Sequence, residues 1–350
     1  MGMMQDGCDT SNSRSPAGCA RGQTRRRPPA LTSFRPTASW DRLRGRAELL
    51  RRVRAFFDGR RFLEVETPIV SSDTVVDRHL DPFSVVGHRE DGRALWLQTS
   101  PEFGMKRLLA AGAEAIYQVA RVFRQGERGP LHNPEFTMVE WYRSGHGMDE
   151  GIALLSDLAE ELLGRGPAGR MSYREAFERH VGLDPHTADV RDLAAAVDRL
   201  DVVAPASLGE DDRDGWLDLL LAERVQPHLG VDRPVVVYDY PPSQAALARV
   251  RDDDPPVAER FELFASGIEL ANGYHELLDP AVLRERNARN NALRRADGKR
   301  PLPEESRLLA AMEAGLPDAT GVALGFDRLV MLALGASCVD EVMAFPFDRA

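Results

Sequence analysis

Apolar side chains recur every three or four residues after Trp40. Leu43, Ala47, Leu50, Val53 and Phe57 share one stripe, and arginines occupy the other faces. That period predicts an amphipathic helix from Trp40 to about Gly59. Residues 62–68 alternate instead, which predicts a strand closed by Pro68, a residue that cannot donate to a ladder. The chain on to Val86 is irregular. Residues 95–98 predict a short strand. Thr99-Ser100-Pro101-Glu102 then opens a helix with a hydroxyl cap, a first-turn proline and an acid near the positive end of the dipole. Met105, Leu108 and Leu109 supply its buried face. Two β-rich runs, 116–123 and 136–142, flank a polar loop punctuated by Gly126, Gly129 and Pro130. They predict an antiparallel hairpin whose loop is longer than the usual two to five residues, and a long polar loop suits binding.

Residues 148–230 read as mostly helical, with a capping box from Ser172 to Glu175. Val235-Val236-Val237-Tyr238 predicts a buried strand broken at Pro241-Pro242. Residues 261–264 and 268–274 predict a second hairpin around Ser266-Gly267. Helices are expected over 280–297 and 303–314. A Gly-rich strand, Gly321-Val322-Ala323-Leu324-Gly325, runs into the apolar helix that begins at Phe326. Helices flanking a run of hairpins predict an α+β domain on an antiparallel sheet.

Composition narrows the function classes. The chain has 350 residues, 43% of them hydrophobic, and a formal charge of −10. No apolar run reaches a membrane span, so no membrane partner is expected. The acidic balance argues against a long phosphate-tracking surface, and no stable nucleic-acid partner is expected. Cys8, Cys19 and Cys338 form no C-x-x-C pair, which fits a reducing cytoplasm and no disulfide framework. Lys106 and Lys299 are the only lysines in a chain otherwise supplied with arginine. Residues 1–38 are rich in Ser, Gly, Pro and Arg and poor in large apolar side chains, so they are expected to be a disordered N-terminal extension. Residues 39–350 form the expected folded domain, with a mostly helical insertion at about 148–230.

No P-loop, G-x-G-x-x-G, H-E-x-x-H or G-x-S-x-G is present. A bound nucleotide would have its phosphates held by side-chain cations on a sheet. Arg124 and Arg328 suit that chemistry, although each alone fits a surface salt bridge as well. Gly321 and Gly325 would let a ligand approach the backbone, or would serve tight packing. Glu269 and Glu276 would face solvent, or hold a cation or a substrate ammonium. Phe136 would be core, or would stack on a planar ring. Glu102 would serve the helix dipole at least. His132 lacks a second ligand at metal spacing.

The order of these pieces is more specific than any one of them. Thr99-Ser100-Pro101-Glu102, then Phe123-Arg124 with His132-Asn133-Pro134-Glu135-Phe136-Thr137 and Glu140-Trp141-Tyr142, then residues 267–277 (GIELANGYHEL), then residues 321–329 (GVALGFDRL) resemble the catalytic domain of class II aminoacyl-tRNA synthetases. The likeness is to the lysyl branch and covers residues 40–350. Only about 40 low-complexity residues precede the match, too few for that branch's anticodon-binding barrel. Ala323 replaces the middle glycine of the synthetases' G-x-G-x-G. Both features resemble the elongation factor P lysine ligases.

The resemblance implies an ATP-dependent, AMP-forming ligase that activates a lysine-type amino acid, (R)-β-lysine in that family, and transfers it to a lysine of elongation factor P. The alternative is a truncated lysyl-tRNA synthetase-like enzyme that charges tRNA or another amine. A non-catalytic paralogue would have eroded phosphate-holding arginines, and Arg124 and Arg328 are both present. Arg124 and Arg328 are the implied catalytic residues, at the α- and γ-phosphates. Gln125, Gly126, Glu127, His132, Asn133, Phe136, Glu269, Leu270 and Gly325 join them around ATP, with Mg²⁺ on Glu269. Ser100, Pro101, Glu102, Tyr142, Glu276 and Ala323 are the implied amino-acid contacts. The family's Arg-x-Glu is here Arg124-Gln125-Gly126-Glu127, so Glu127 would have to reach round. The segment from Val65 to Pro68 implies a homodimer interface.

Overall fold

The structure is a computed structural model that describes residues 34–86 and 94–350. The expected extension over 1–38 falls almost wholly outside the described residues, as do Cys8 and Cys19. Residues 36–350 form one compact unit, to which everything below refers.

The unit opens with helix α1 (Trp40–Asp58), as the apolar stripe predicts, capped by the Ser39 side chain accepting from Arg42 N. Three short strands follow: β1 (Leu63–Glu64), β2 (Val70–Ser71) and β3 (Ser84–Val85). Strand β4 (Leu95–Leu97) and helix α2 (Glu102–Ala110) lead into the long hairpin, β5 (Ala115–Phe123) and β6 (Glu135–Ser144). Helix α3 (Met148–Leu163) and strand β7 (Gly169–Ser172) precede helices α4 (Tyr173–His180), α5 (Val190–Arg199) and α6 (Arg213–Leu220). Then come β8 (Val235–Tyr240), β9 (Val250–Arg251) and the tight hairpin β10 (Val257–Ala265) and β11 (Ile268–His275). Helices α7 (Pro280–Ala296) and α8 (Arg307–Gly315), strand β12 (Ala319–Gly325) and helix α9 (Phe326–Ala333) complete the order.

The main sheet runs β1-β5-β6-β12-β11-β10-β8-β7, with β9 paired to β10. Its pairs are antiparallel except β1–β5 and β7–β8. A separate three-stranded sheet has the order β2-β4-β3. This is the α+β architecture expected.

Period-two alternation gives the main sheet two different faces. On one, Tyr117, Val139, Trp141, Val236, Phe261, Leu263, Val322 and Leu324 pack against α1, α3 and α9 in the principal core. Phe57 of α1 stacks on Tyr117 at 4.6 Å between centroids and meets Trp141 at 5.2 Å. Residues of opposite parity point to the other side. At one end of that side, Val235, Val237 and Phe264 cover a second core built from Tyr173, Phe177, Leu193 and Leu217, which Tyr240 joins after the break in alternation at Asp239 (φ 61°). Helix α3 belongs to the principal core, so only the later part of the helical stretch 148–230 forms a core of its own.

The β10–β11 turn is two residues, Ser266 and Gly267, both at positive φ (53° and 72°). That backbone matches the twist of the flanking strands. Two expectations need correction. The strand over 62–68 is regular only at Leu63–Glu64. Beyond it Val65 N bonds Tyr117 O at 2.9 Å and Thr67 Oγ1 bonds Gln118 Oε1 at 3.0 Å, so the chain stays docked without a ladder. Helix α2 starts at Glu102 with Pro101 as its cap residue, and Ser100 Oγ accepts from Glu102 N at 2.9 Å.

Candidate active site

The functional face of the sheet is a trough, and its floor is β12. That strand presents Gly321, Ala323 and Gly325 between two strands with larger side chains. In register, Gly321 lies between Tyr142 and Tyr274, Ala323 between Glu140 and Asn272, and Gly325 beside Met138. Small residues in the central strand therefore leave a groove that the neighbours wall. The cavity above it measures about 1150 Å³.

One end of the trough is acidic. Glu102 comes from α2, Glu140 from β6, and Glu276 from just beyond β11, and all three are buried. Lys106, one helical turn after Glu102, reaches Glu102 and Glu276 at 2.5 Å each. Burial alone would lower its ammonium, but the two carboxylates outweigh this and hold it above its ordinary value. Glu140 accepts from Ser100 Oγ at 2.7 Å and Tyr142 OH at 2.6 Å. Burial and the nearby Glu102 push its carboxyl up to about 8. Burial also raises Glu276, against the pull of Lys106. Three carboxyl groups thus face one fixed ammonium. Asn272 Oδ1 and Glu276 Oε1 are buried acceptors with no hydrogen-bond donor among the described residues. Such acceptors are costly unless a ligand supplies the donor.

The other end is cationic. Arg124 leaves β5 at the hairpin loop, its Nε weakly bonded to Thr99 O at 3.4 Å and its guanidinium 5.1 Å from the centre of the Phe136 ring. Arg328, in the first turn of α9, bonds Leu131 O and Glu269 O at 3.1 and 2.9 Å, and also meets His132 Nε2. Partial burial and the Arg328 charge hold the His132 imidazole below its ordinary value. The adjacent Asp327 fixes this corner, since its buried carboxylate pairs with Arg46 and accepts from Thr137 N at 2.7 Å.

The structure brings most of the expected residues together. Ser100, Glu102, Arg124, Glu127, His132, Asn133, Phe136, Tyr142, Glu269, Leu270, Glu276, Ala323, Gly325 and Arg328 all line the cavity, whereas Pro101, Gln125 and Gly126 do not. Gly126 holds φ at +84° with open space around it, so glycine serves the turn there. Glu127 folds back to within 3.7 Å of Arg124. The Asn133 amide is committed within the protein, donating to Glu135 O at 2.6 Å and accepting from Phe347 N at 3.0 Å. Gly321 does not make room for a ligand. A Cβ there would lie 2.2 Å from both Glu276 Oε1 and Tyr142 Cε1, so the glycine makes room for those two side chains. Among the described residues no group of three or more His, Cys, Asp or Glu is arranged as a metal site. Glu269 stands 3.6 Å from Arg328 as a lone carboxylate, which suits a cation that also takes phosphate oxygens.

The tRNA synthetases class II (D, K and N) family matches residues 23–349. The chain belongs to that family. It is 48% identical over 322 residues to a Klebsiella pneumoniae (strain 342) protein named elongation factor P–(R)-β-lysine ligase, covering 91% of this chain and 98% of that one. An Edwardsiella ictaluri protein of the same name is 48% identical over 323 residues, 91% of this chain and 99% of the relative. Glu140, Asn272, Tyr274 and Asp327 line the cavity and Lys106 pairs with two of its acids, yet none of the five was singled out from the sequence. Lys106 carried a usable signal, being one of two lysines in an arginine-supplied chain. Glu140 and Asn272 are each two residues from a strand position that was singled out, Tyr142 and Leu270, and Tyr274 is two before Glu276 at the end of β11, which places them on the same face.

Proposed function

We propose that the chain uses ATP to activate a lysine-type amino acid, (R)-β-lysine, as its adenylate and passes it to a lysine side chain of elongation factor P. The observation that carries this reading is the buried acid excess at one end of the trough. Glu102, Glu140 and Glu276 against Lys106, with Asn272 Oδ1 and Glu276 Oε1 unpartnered, call for a ligand with two ammonium groups. The names of the relatives supply the acceptor and the β-amino acid.

In this reading Ser100 and Glu102 hold one amine, with Pro101 setting the turn between them, and Tyr142 and Glu276 hold the other. The Ala323 methyl shapes the space between them. Arg124 draws the substrate carboxylate to the α-phosphorus and stabilises the charge that builds there. Arg328 anchors the γ-phosphate. Phe136 stacks on adenine, which Asn133 and the backbone at His132 border; Gln125, Gly126 and Glu127 contribute through the loop that carries them. Glu269, Leu270 and Gly325 lie against the nucleotide, and Glu269 would hold the Mg²⁺, which neutralises phosphate charge when bound. The carboxylate oxygen attacks the α-phosphorus and pyrophosphate leaves. The acceptor amine then attacks the adenylate carbonyl, AMP leaves, and the amine gives up a proton. Positioning and electrostatics suffice, with no covalent enzyme intermediate.

The exposed Leu63, Ile69 and Val70 support a homodimer through that segment. A cytoplasmic setting follows from the acceptor. Among the described residues no helix is long and apolar enough to cross a membrane. The test is incubation of the protein with ATP, labelled (R)-β-lysine, and either elongation factor P or bulk tRNA. Label on elongation factor P is expected; label on tRNA alone would overturn the assignment. Arg124→Ala should abolish amino-acid-dependent pyrophosphate exchange.

A further inference from the structure

The hairpin loop over residues 124–134 carries Arg124, Glu127 and His132; Gln125, Gly126, Arg128, Pro130 and His132 are exposed, while Leu131 rests against the principal core and Gln125 N bonds Asp81 O at 2.7 Å. Loops of this kind are normally the mobile part of a fold. Here the chain after α9 grips it. Arg128 points away from the cavity and forks onto two acids of that segment. Its NH1 and NH2 donate to the two carboxylate oxygens of Asp340 at 3.1 and 2.8 Å, and its Nε and NH2 donate to Asp348 Oδ2 at 2.9 and 2.8 Å. Two further bonds flank this fork: Val339 N donates to Pro130 O at 2.9 Å, and Phe347 N to Asn133 Oδ1 at 3.0 Å.

The gripping segment is itself fixed. Val339, Val342 and Met343 are buried in the principal core. Thr37 N and Ala38 N donate to Ala344 O and Met343 O at 2.9 and 3.2 Å, and Glu341 pairs with Arg42 of α1. The loop is thus tied at three points, spread over six residues, to a strap rooted in the core. A single surface ion pair contributes little. A two-acid fork with backbone bonds on either side restricts geometry far more.

We propose that residues 339–348 act as a strap that preorganises the nucleotide loop, with Arg128, Asp340 and Asp348 as positioning residues for ATP. This rests on the reading that the loop binds nucleotide. A loop held in its bound shape spares ATP the cost of ordering it. None of the three side chains needs to touch the nucleotide.

The test uses the full chain carrying Asp340→Asn with Asp348→Asn, and separately Arg128→Gln and Arg128→Lys. Expected are a KM for ATP raised about tenfold in pyrophosphate exchange, an unchanged KM for the amino acid, an unchanged Tm, and faster hydrogen exchange of loop amides without nucleotide. Arg128→Lys, which keeps the charge and loses the fork, should fall between wild type and Arg128→Gln. An unchanged KM for ATP would overturn the proposal. So would equal rises in both KM values with a lowered Tm, which is the mark of a general brace. Calorimetric titration with ATP makes the same comparison without turnover. If the wild type shows no exchange with any lysine-type amino acid, the proposed function fails, and the calorimetric ratio still decides the strap.

Discussion

Gly321 and Gly325 lie on the same face of β12, four residues apart, and the same added methyl should have opposite consequences at the two positions. At Gly321 a Cβ would sit 2.2 Å from Glu276 Oε1 and from Tyr142 Cε1, and 2.6 Å from Tyr142 Cδ1. Neither neighbour can yield cheaply. Tyr142 is buried and its hydroxyl donates to Glu140 at 2.6 Å; Glu276 is fully buried and paired with Lys106 at 2.5 Å. Relief therefore requires shifting two locked side chains, and overpacking of this kind costs about 1–3 kcal/mol. In mid-sized domains each kcal/mol lowers Tm by about 2–4 °C. Gly321→Ala should lower Tm by several degrees. It should also raise the KM for the amino acid at least about tenfold, since a lost charge-assisted bond is worth about 1.5–3 kcal/mol. The KM for ATP should stay close to wild type. At Gly325 the added Cβ would find Leu270 O at 3.7 Å and Arg328 Cδ at 3.9 Å, ordinary contacts. Gly325→Ala should leave Tm unchanged and weaken ATP alone. Calorimetric melting and amino-acid-dependent pyrophosphate exchange read both variants. A Gly321→Ala protein with normal Tm and normal amino-acid KM would refute the account of the trough floor.

Three further outcomes follow from particular groups. Glu140, pushed up to about 8 by burial and Glu102, carries a proton in the empty site at neutral pH. A dicationic ligand favours the carboxylate, so affinity for (R)-β-lysine measured by calorimetry should rise with pH on the acid side of about 8, with proton release; Glu140→Gln should flatten that slope and lower affinity about tenfold or more. His275 Nδ1 meets Glu259 at 2.6 Å and Nε2 meets Asp318 at 2.8 Å; burial works against its charge, but these acids hold the imidazole above its ordinary value. Its stabilisation is therefore complete below about pH 6.5 and lost as pH rises through the folded value, so the Tm gap between wild type and His275→Gln should close on the alkaline side. Ala323→Gly should shift preference between α- and β-lysine in competition assays, because its methyl lies between Glu140 and Asn272; an unchanged preference would count against a role for it.

What could be read from sequence was set by short-range chemistry. The stripe from Leu43 to Phe57 defined α1 to within a residue, because a helix is decided by neighbours three and four places away. Ser266-Gly267 fixed the β10–β11 turn because only a few residue types adopt its backbone. Ser172 to Glu175 closed a capping box as expected. Residues 62–68 misled because alternation reports a half-buried edge, and docking on β5 satisfies that pattern after only two ladder residues. Ser100 was legible as a helix-start hydroxyl, and its 2.9 Å bond from Glu102 N agrees, but its donation to Glu140 was not, since Glu140 lies 40 positions away.

The acid excess shows why the site was only half legible. Each carboxylate alone has a bland local explanation: Glu102 serves a helix N-terminus, Glu140 falls in an apolar strand, and Glu276 follows another. Their meaning depends on β12 coming between β6 and β11, a pairing of strands from distant parts of the chain. It depends equally on glycine at 321, where any side chain would collide with Glu276 and Tyr142. Lys106 completes the argument. A buried ammonium shared by two carboxylates offsets one charge and Glu140 avoids another by holding a proton, so the empty cluster is short of one cation, and of a second once Glu140 releases that proton to a dicationic ligand. A ligand with one ammonium would leave Glu140 holding its proton, and a neutral one would leave a buried charge unpaired. Discrimination then comes from the cost of binding the wrong partner as much as from contacts to the right one.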